Sequence, residues 1–210
     1  MNVWVLWATT VVALGFALLA CSSGGGGSPP PVGGAGALFS DTFDDPSVRN
    51  LKETPGSAVY KDGGFVFLSI EDPLEARRGK FVGIPGDRRD AGVAVDVVAP
   101  RGVGIPALNC RQRGELFYQV SVDVQSRQVR ITKGEPGLFD ILVENTSDAV
   151  RAGDQINHIE LICKGSQITA TINGTEAGKL QDASYGEGQM AIGVRGQGEV
   201  RFDNLVVTSR

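Results

Sequence analysis

From Leu38 to the C-terminus, apolar and polar residues alternate with a period of two through one short segment after another. Val93, Val95 and Val97 alternate with Ala94, Asp96 and Val98, and Leu116, Tyr118, Val120 and Val122 with Phe117, Gln119, Ser121 and Asp123. Ile159, Leu161 and Cys163 alternate with His158, Glu160 and Ile162, and Ile168, Ala170 and Ile172 with Thr169 and Thr171. Met190, Ile192 and Val194 alternate with Ala191, Gly193 and Arg195, while Val200 and Phe202 sit across from Arg201 and Asp203. Each segment has one apolar face, the pattern of an antiparallel strand whose other side meets water. Asp62-Gly63-Gly64, Lys164-Gly165 and Asn173-Gly174 punctuate the segments, and Asn-Gly supplies the positive φ of a two-residue hairpin. No stretch past residue 36 keeps a 3.6-residue period for four turns, although Pro73 to Lys80 predicts one short helical turn. Short strands with one apolar face each bury those faces by stacking two sheets. The expected fold over residues 37–210 is therefore all-β, an antiparallel two-sheet β-sandwich of the jelly-roll kind. An eight-stranded barrel satisfies the same pattern.

The first residues read differently. Residues 1–20 have no charged side chain and are mostly apolar from Val3 to Ala20, near the lower length limit for a membrane-spanning helix. The run ends at Leu18-Leu19-Ala20-Cys21 and passes straight into Gly, Ser and Pro as far as Gly36. This end resembles the lipobox of bacterial lipoproteins, which are cleaved before a cysteine whose sulfur carries diacylglycerol. The resemblance implies a signal peptide over 1–20, a lipidated Cys21 heading a tether over 21–36, and a folded domain over 37–210. It places the protein at the cell membrane, lipid-anchored on the extracytoplasmic face. Acyl chains contribute about 0.8 kcal/mol per buried methylene, so two or three hold a protein on a bilayer. Gly-rich sequence stays a coil, and Pro29-Pro30-Pro31 stiffens part of it. Such signals usually open on Lys or Arg, whereas Asn2-Val3 offers only the terminal amine, and a start further upstream would supply the charge. The alternative is an uncleaved helix with Cys21 as a bystander.

Composition narrows the function. A net charge of -4 makes nucleic acid a poor partner. His158 is the single histidine of the chain, which excludes a histidine-based metal cluster and leaves a serine triad with one candidate base, on a polar strand face. With Cys21 lipidated, Cys110 and Cys163 remain, either as a disulfide or as two buried thiols, and two cysteines are too few for a structural zinc site without other ligands.

Several segments carry a further resemblance. They are Leu38-Phe39-Ser40-Asp41-Thr42-Phe43-Asp44-Asp45, Cys110-Arg111, Asn157 to Gly165, Ile172-Asn173-Gly174, Gly188 to Gly193 and Val200 to Leu205. Their order resembles the concanavalin A-like (laminin G-like) jelly-roll domains of bacterial surface proteins, and is similar to the 3-keto-disaccharide hydrolase domain. The resemblance implies a Cys110–Cys163 pair and a last strand returning beside the first. Relatives on this fold include lectins, glucanases and adhesive modules, so the fold alone does not settle function.

Hydrolysis by a retaining glycosidase needs two carboxyl groups about 5 Å apart. The Glu-x-Asp-x-x-Glu pattern of glucanases of this fold does not occur here, and the neighbours Glu71 and Asp72 point opposite ways along a strand. Sugar binding asks for an aromatic platform, and both tryptophans fall within residues 1–20. Phe117, on the polar face with Gln119, Ser121 and Asp123, is the candidate platform, with Arg111, Arg130 and Glu160 as polar contacts and Tyr185 at a rim. No cofactor is expected beyond a structural calcium, for which Asp41, Asp44, Asp45 and Asp203 are candidate ligands if the terminal strands are neighbours. The expectation is a non-catalytic, membrane-tethered extracytoplasmic module that binds cell-wall polysaccharide or an envelope protein. A lectin-like domain is the alternative, and a glycoside-processing enzyme the less favoured one.

Overall fold

The computed structural model describes residues 36–45, 47–99 and 104–210. The signal segment, Cys21 and most of the tether lie outside the described residues.

The strands form two open sheets, which distinguishes the sandwich from the barrel. The back sheet runs in the order β12 (Thr175–Gln181), β11 (Gln167–Ile172), β10 (Asn157–Lys164), β5 (Ala91–Val98), β14 (Val200–Ser209), β3 (Gly64–Phe67) and β2 (Ala58–Lys61). β1 (Ala37–Asp41) also pairs with β14, beyond the part of β14 that β3 occupies. The front sheet runs β4 (Lys80–Arg88), β13 (Gly188–Arg195), β6 (Ile105–Arg113), β7 (Leu116–Asp123), β8 (Gln128–Glu135) and β9 (Leu138–Thr146). All the pairings are antiparallel, and the last strand lies beside the first.

The period-two pattern decides which side chains enter the core. On β10, Ile159, Leu161 and Cys163 are fully buried while His158, Glu160 and Ile162 are partly exposed. Tyr118, Val120 and Val122 do the same from β7, and Ile192 and Val194 from β13. Each such aliphatic or aromatic side chain contributes about 1.5–3 kcal/mol on burial. At one end Phe43, Tyr60, Phe65, Phe67 and Phe202 pack ring against ring, with neighbouring centroids 5.1–5.8 Å apart. Cys110 of the front sheet and Cys163 of the back sheet form a disulfide through this core, with Cα atoms 6.6 Å apart. The hairpin at Asn173-Gly174 has φ of 51° and 81°, as its sequence requires.

The short helix α1 (Pro73–Arg78) sits where one helical turn was expected. Asp72 caps it by accepting from the N–H groups of Leu74 and Glu75, and Pro73 opens its first turn. Its C-terminal end is fastened to the end of β13, where the Gly196 N–H donates to the Ala76 carbonyl at 2.8 Å. The helix therefore stands beside the outer face of the front sheet.

Candidate functional site

The outer face of the front sheet carries an open cavity of about 460 Å³. Cross-strand register builds its floor. Ser121 of β7 faces Arg130 of β8, which faces Glu144 of β9; in the next row Asn109, Gln119, Thr132 and Ile141 follow one another from β6 to β9. Pro73, Ala76 and Arg77 of α1 form one wall, and Phe139 and Ile141 of the edge strand β9 form the other. Phe139 is 41% exposed and Ile141 54%.

Arg195 spans the floor. Its Nε and one terminal nitrogen donate to the Arg77 carbonyl at 3.1 and 2.6 Å, and the other terminal nitrogen donates to Gln119 Oε1 at 3.1 Å. Gln119 donates in turn to Asn109, and Asn109 to Gln112, so the fully buried amides of Gln119 and Asn109 are satisfied in one chain. The Arg195 guanidinium lies 4.8 Å from the centre of the Phe139 ring, a cation–π contact that orients both groups. Burial, and then the charge of Arg130, holds Arg195 below its ordinary pKa, and it stays charged. Arg130 is anchored through Nε to Glu144 Oε2 at 2.7 Å, while Gln128 occupies the other Glu144 oxygen.

The sequence-chosen residues are scattered. Arg130 lines the cavity. Phe117 lies on the outer face, as its position in β7 predicts, but it is 7% exposed and is no open platform. Its ring lies over Gly134 of β8, and Phe139 sits beyond, with ring centroids 6.0 Å apart. Phe117, Gly134 and Phe139 occupy one row across three strands, so the missing side chain at Gly134 leaves the space that Phe117 fills. Phe139, which sequence reasoning missed, is the exposed aromatic.

Arg111 is 2% exposed and is a structural clamp. It donates to the carbonyls of Arg89, Tyr185 and Gly165, tying three loops at one end of the sandwich. Tyr185 belongs to the same end; its ring packs 5.0 Å from Tyr118, and its hydroxyl donates to the Gly134 carbonyl. Burial, and then the Glu135 carboxylate, pushes the Tyr185 phenol up to about 12. Glu160 lies on the opposite sheet and pairs with Arg210, so it does not join Arg130.

Of the four aspartates, Asp44 and Asp203 lie near enough for the charge of one to act on the other, while the other two have protein partners. Asp41 accepts from the Phe43 N–H and the Tyr60 hydroxyl, and Asp45 caps Ser47. Among the described residues no three His, Cys, Asp or Glu side chains gather as metal ligands.

A second hollow, about 340 Å³, lies on the outer face of the back sheet beside Asp96, Ile156, Arg201 and Asp203. His158 Nδ1 is 2.7 Å from Asp96 Oδ1, and Asn204 donates to the other Asp96 oxygen. That hydrogen bond to Asp96, partly opposed by burial, raises the His158 pKa. Burial raises the Asp203 pKa, and the Asp44 carboxylate adds to the shift. This hollow has no exposed aromatic wall among its lining residues.

The fold is a two-sheet jelly roll with a groove on its front face. No protein-family model matches the chain, and none of the curated proteins does. Solved structures of the same fold do. The carbohydrate-binding module CBM66 from Bacillus subtilis superposes with a TM-score of 0.65 at 17% identity, covering 76% of this chain and 96% of the module. A protein of unknown function with a galectin-like fold, also from Bacillus subtilis, gives a TM-score of 0.65 at 14% identity, covering 83% of this chain and 96% of its own. The GH43 protein BlXynB from Bacillus licheniformis gives 0.63 at 13% identity, and there the match spans 81% of this chain and 39% of that longer protein. At these identities the likeness establishes the fold.

Proposed function

We propose that the domain is a non-catalytic binding module that takes a saccharide chain in the front-sheet groove. The observation that carries this reading is the pairing of the exposed Phe139 with a floor of hydrogen-bonding groups, Arg130, Ser121, Thr132 and Arg195, in one open cavity. An aromatic ring supplies the apolar contact that a sugar face needs, and preset polar groups fix its hydroxyls. Structural neighbours named as a carbohydrate-binding module and as galectin-like support the choice of ligand class. Binding is preferred to hydrolysis because the cavity's lining among the described residues includes no aspartate or glutamate to act as a carboxylate pair.

The module works from the extracytoplasmic face of the membrane, held by lipid on Cys21 and spaced by the segment 22–36. The lipobox Leu18-Leu19-Ala20-Cys21 and the Gly/Ser/Pro run after it support this placement. Affinity electrophoresis against xylan, β-glucan, polygalacturonate and peptidoglycan fragments tests the ligand class. Retardation by at least one glycan is expected. Free migration in all of them, together with capture of an envelope protein, would make the module a protein-binding one.

A further inference from the structure

The groove has a charge that the rest of the molecule lacks. The chain is net acidic at -4, yet three arginines and no carboxylate line this cavity among the described residues. Two of them present prepared but unused donors. Arg195 has five N–H donors, as every guanidinium does, and the protein takes three of them, two to Arg77 and one to Gln119. Arg130 is fixed through Nε alone, which leaves its two terminal nitrogens without a protein acceptor among the described residues. Glu144 accepts at both oxygens on the far side of Arg130, so it holds that side chain in place and does not enter the lining. Arg195 is the more buried of the two, and the charge of Arg130, itself ion-paired with Glu144, adds to the cost of its burial. An oxyanion placed between them relieves that repulsion and meets planar forks suited to bidentate contact.

Resting on the saccharide reading above, we infer that the groove selects an acidic saccharide, one whose sugars carry a carboxylate or another oxyanion, held between Arg130 and Arg195 with the sugar ring against Phe139. Neutral sugars would meet Phe139 and offer hydroxyl oxygens to the same donors, but would bring no charge to set against the guanidinium groups.

The test compares ligands that differ in charge alone. The intact chain, purified in detergent, is titrated with an oligogalacturonate and with its fully methyl-esterified form, with dextran sulfate and dextran, and with a neutral xylan oligomer. The free acid is expected to bind at least about tenfold more tightly than its ester at low salt, the size of a charge-assisted pair of hydrogen bonds. Added salt should narrow the gap. Arg130→Gln should bring the acid-to-ester ratio close to one, with a denaturant melt confirming that this partly exposed position leaves the fold intact. Tight binding of dextran sulfate with weak binding of galacturonate would support the inference with sulfate as the anion. Equal affinity for acid and ester without preference for dextran sulfate, or an unchanged ratio in Arg130→Gln, would overturn it. Binding of the xylan oligomer with no preference for any anion overturns this inference and leaves the saccharide reading standing. Failure of every glycan to bind removes both.

Discussion

Phe117 and Gly134 form a pair whose energetics follow from their geometry. A Cβ placed on Gly134 would fall within 3.0 Å of the Phe117 ring, closer than real Cβ atoms approach their neighbours. Gly134 has ordinary extended backbone, so Gly134→Ala is resisted by sterics and not by φ. Overpacking of this kind costs about 1–3 kcal/mol. Phe117→Ala removes a ring that is 7% exposed. Core Phe→Ala changes cost about 3–5 kcal/mol, and this one belongs at the lower end, because the half-open Phe139 can settle into the space. The double variant is the diagnostic. Its new methyl occupies part of the volume the ring vacates, so the two costs should not add, and a coupling of about 1–2 kcal/mol in favour of the double variant is expected. Guanidinium melts of the wild type, both single variants and the double variant measure it. Strict additivity, or a Phe117→Ala cost under about 0.5 kcal/mol, would refute the ring-over-glycine packing.

Three further outcomes are expected. Removing the Cys110–Cys163 bridge opens a link between residues 53 apart in sequence, which costs about 4 kcal/mol in the chain-entropy account; reduction should lower the melting temperature, and thiol titration of the oxidised, unfolded protein should find no free thiol at these positions. The pKa of His158 is raised in the fold above its ordinary 6.5, chiefly by its hydrogen bond to Asp96, so its contribution to stability is whole below about pH 6.5 and fades as pH rises through the raised value. His158→Gln should flatten that loss of stability between pH 6 and pH 9, and an unchanged slope would show that the His158–Asp96 pair does not act. Mass spectrometry should find a mature chain beginning at a diacylated Cys21, with C21A released from membranes or left uncleaved; an unmodified Cys21 still joined to residues 1–20 would end the anchor.

Where one face of a strand is buried and its pairing is regular, the sequence displayed the structure. On β10 and the start of β14 burial alternates as the sequence does, whereas on β7 and β13 the outward residues Phe117, Gln119, Ser121 and Ala191 are covered as well. The groove wall was harder to read because β9 breaks the alternation. Its register with β8 shifts between Ile131 and Thr132, which leaves Leu142 as an extra residue. Leu138-Phe139-Asp140-Ile141-Leu142-Val143 therefore reads as an unpatterned apolar run, although Phe139 and Ile141 share the outer face and Val143 turns inward. Arg111 misled for a related reason. It sits at an irregularity between Cys110 and Arg113 with φ of 53°, and the bend folds a charged side chain into the loops, where carbonyls satisfy it. Phe117 was placed on the correct face, but nothing in a linear pattern tells that a glycine stands opposite it on the next strand. Arg130 was picked out from sequence as a polar contact, while Arg195, two strands from Gln119, comes into view only through sheet order.

The central claim is that the exposed Phe139 in the front-sheet groove holds the ligand. The direct measurement is a calorimetric isotherm for the glycan that most retards the protein, recorded for the wild type, Phe139→Ala and Ile156→Ala. Ile156, more open than Phe139, is an apolar control on the back-sheet hollow. Truncating a central binding aromatic commonly costs above about 2 kcal/mol of binding free energy, so Phe139→Ala should weaken binding by about thirtyfold while Ile156→Ala binds as the wild type does. Unchanged affinity in Phe139→Ala, or a loss in Ile156→Ala instead, would contradict a front-sheet saccharide site.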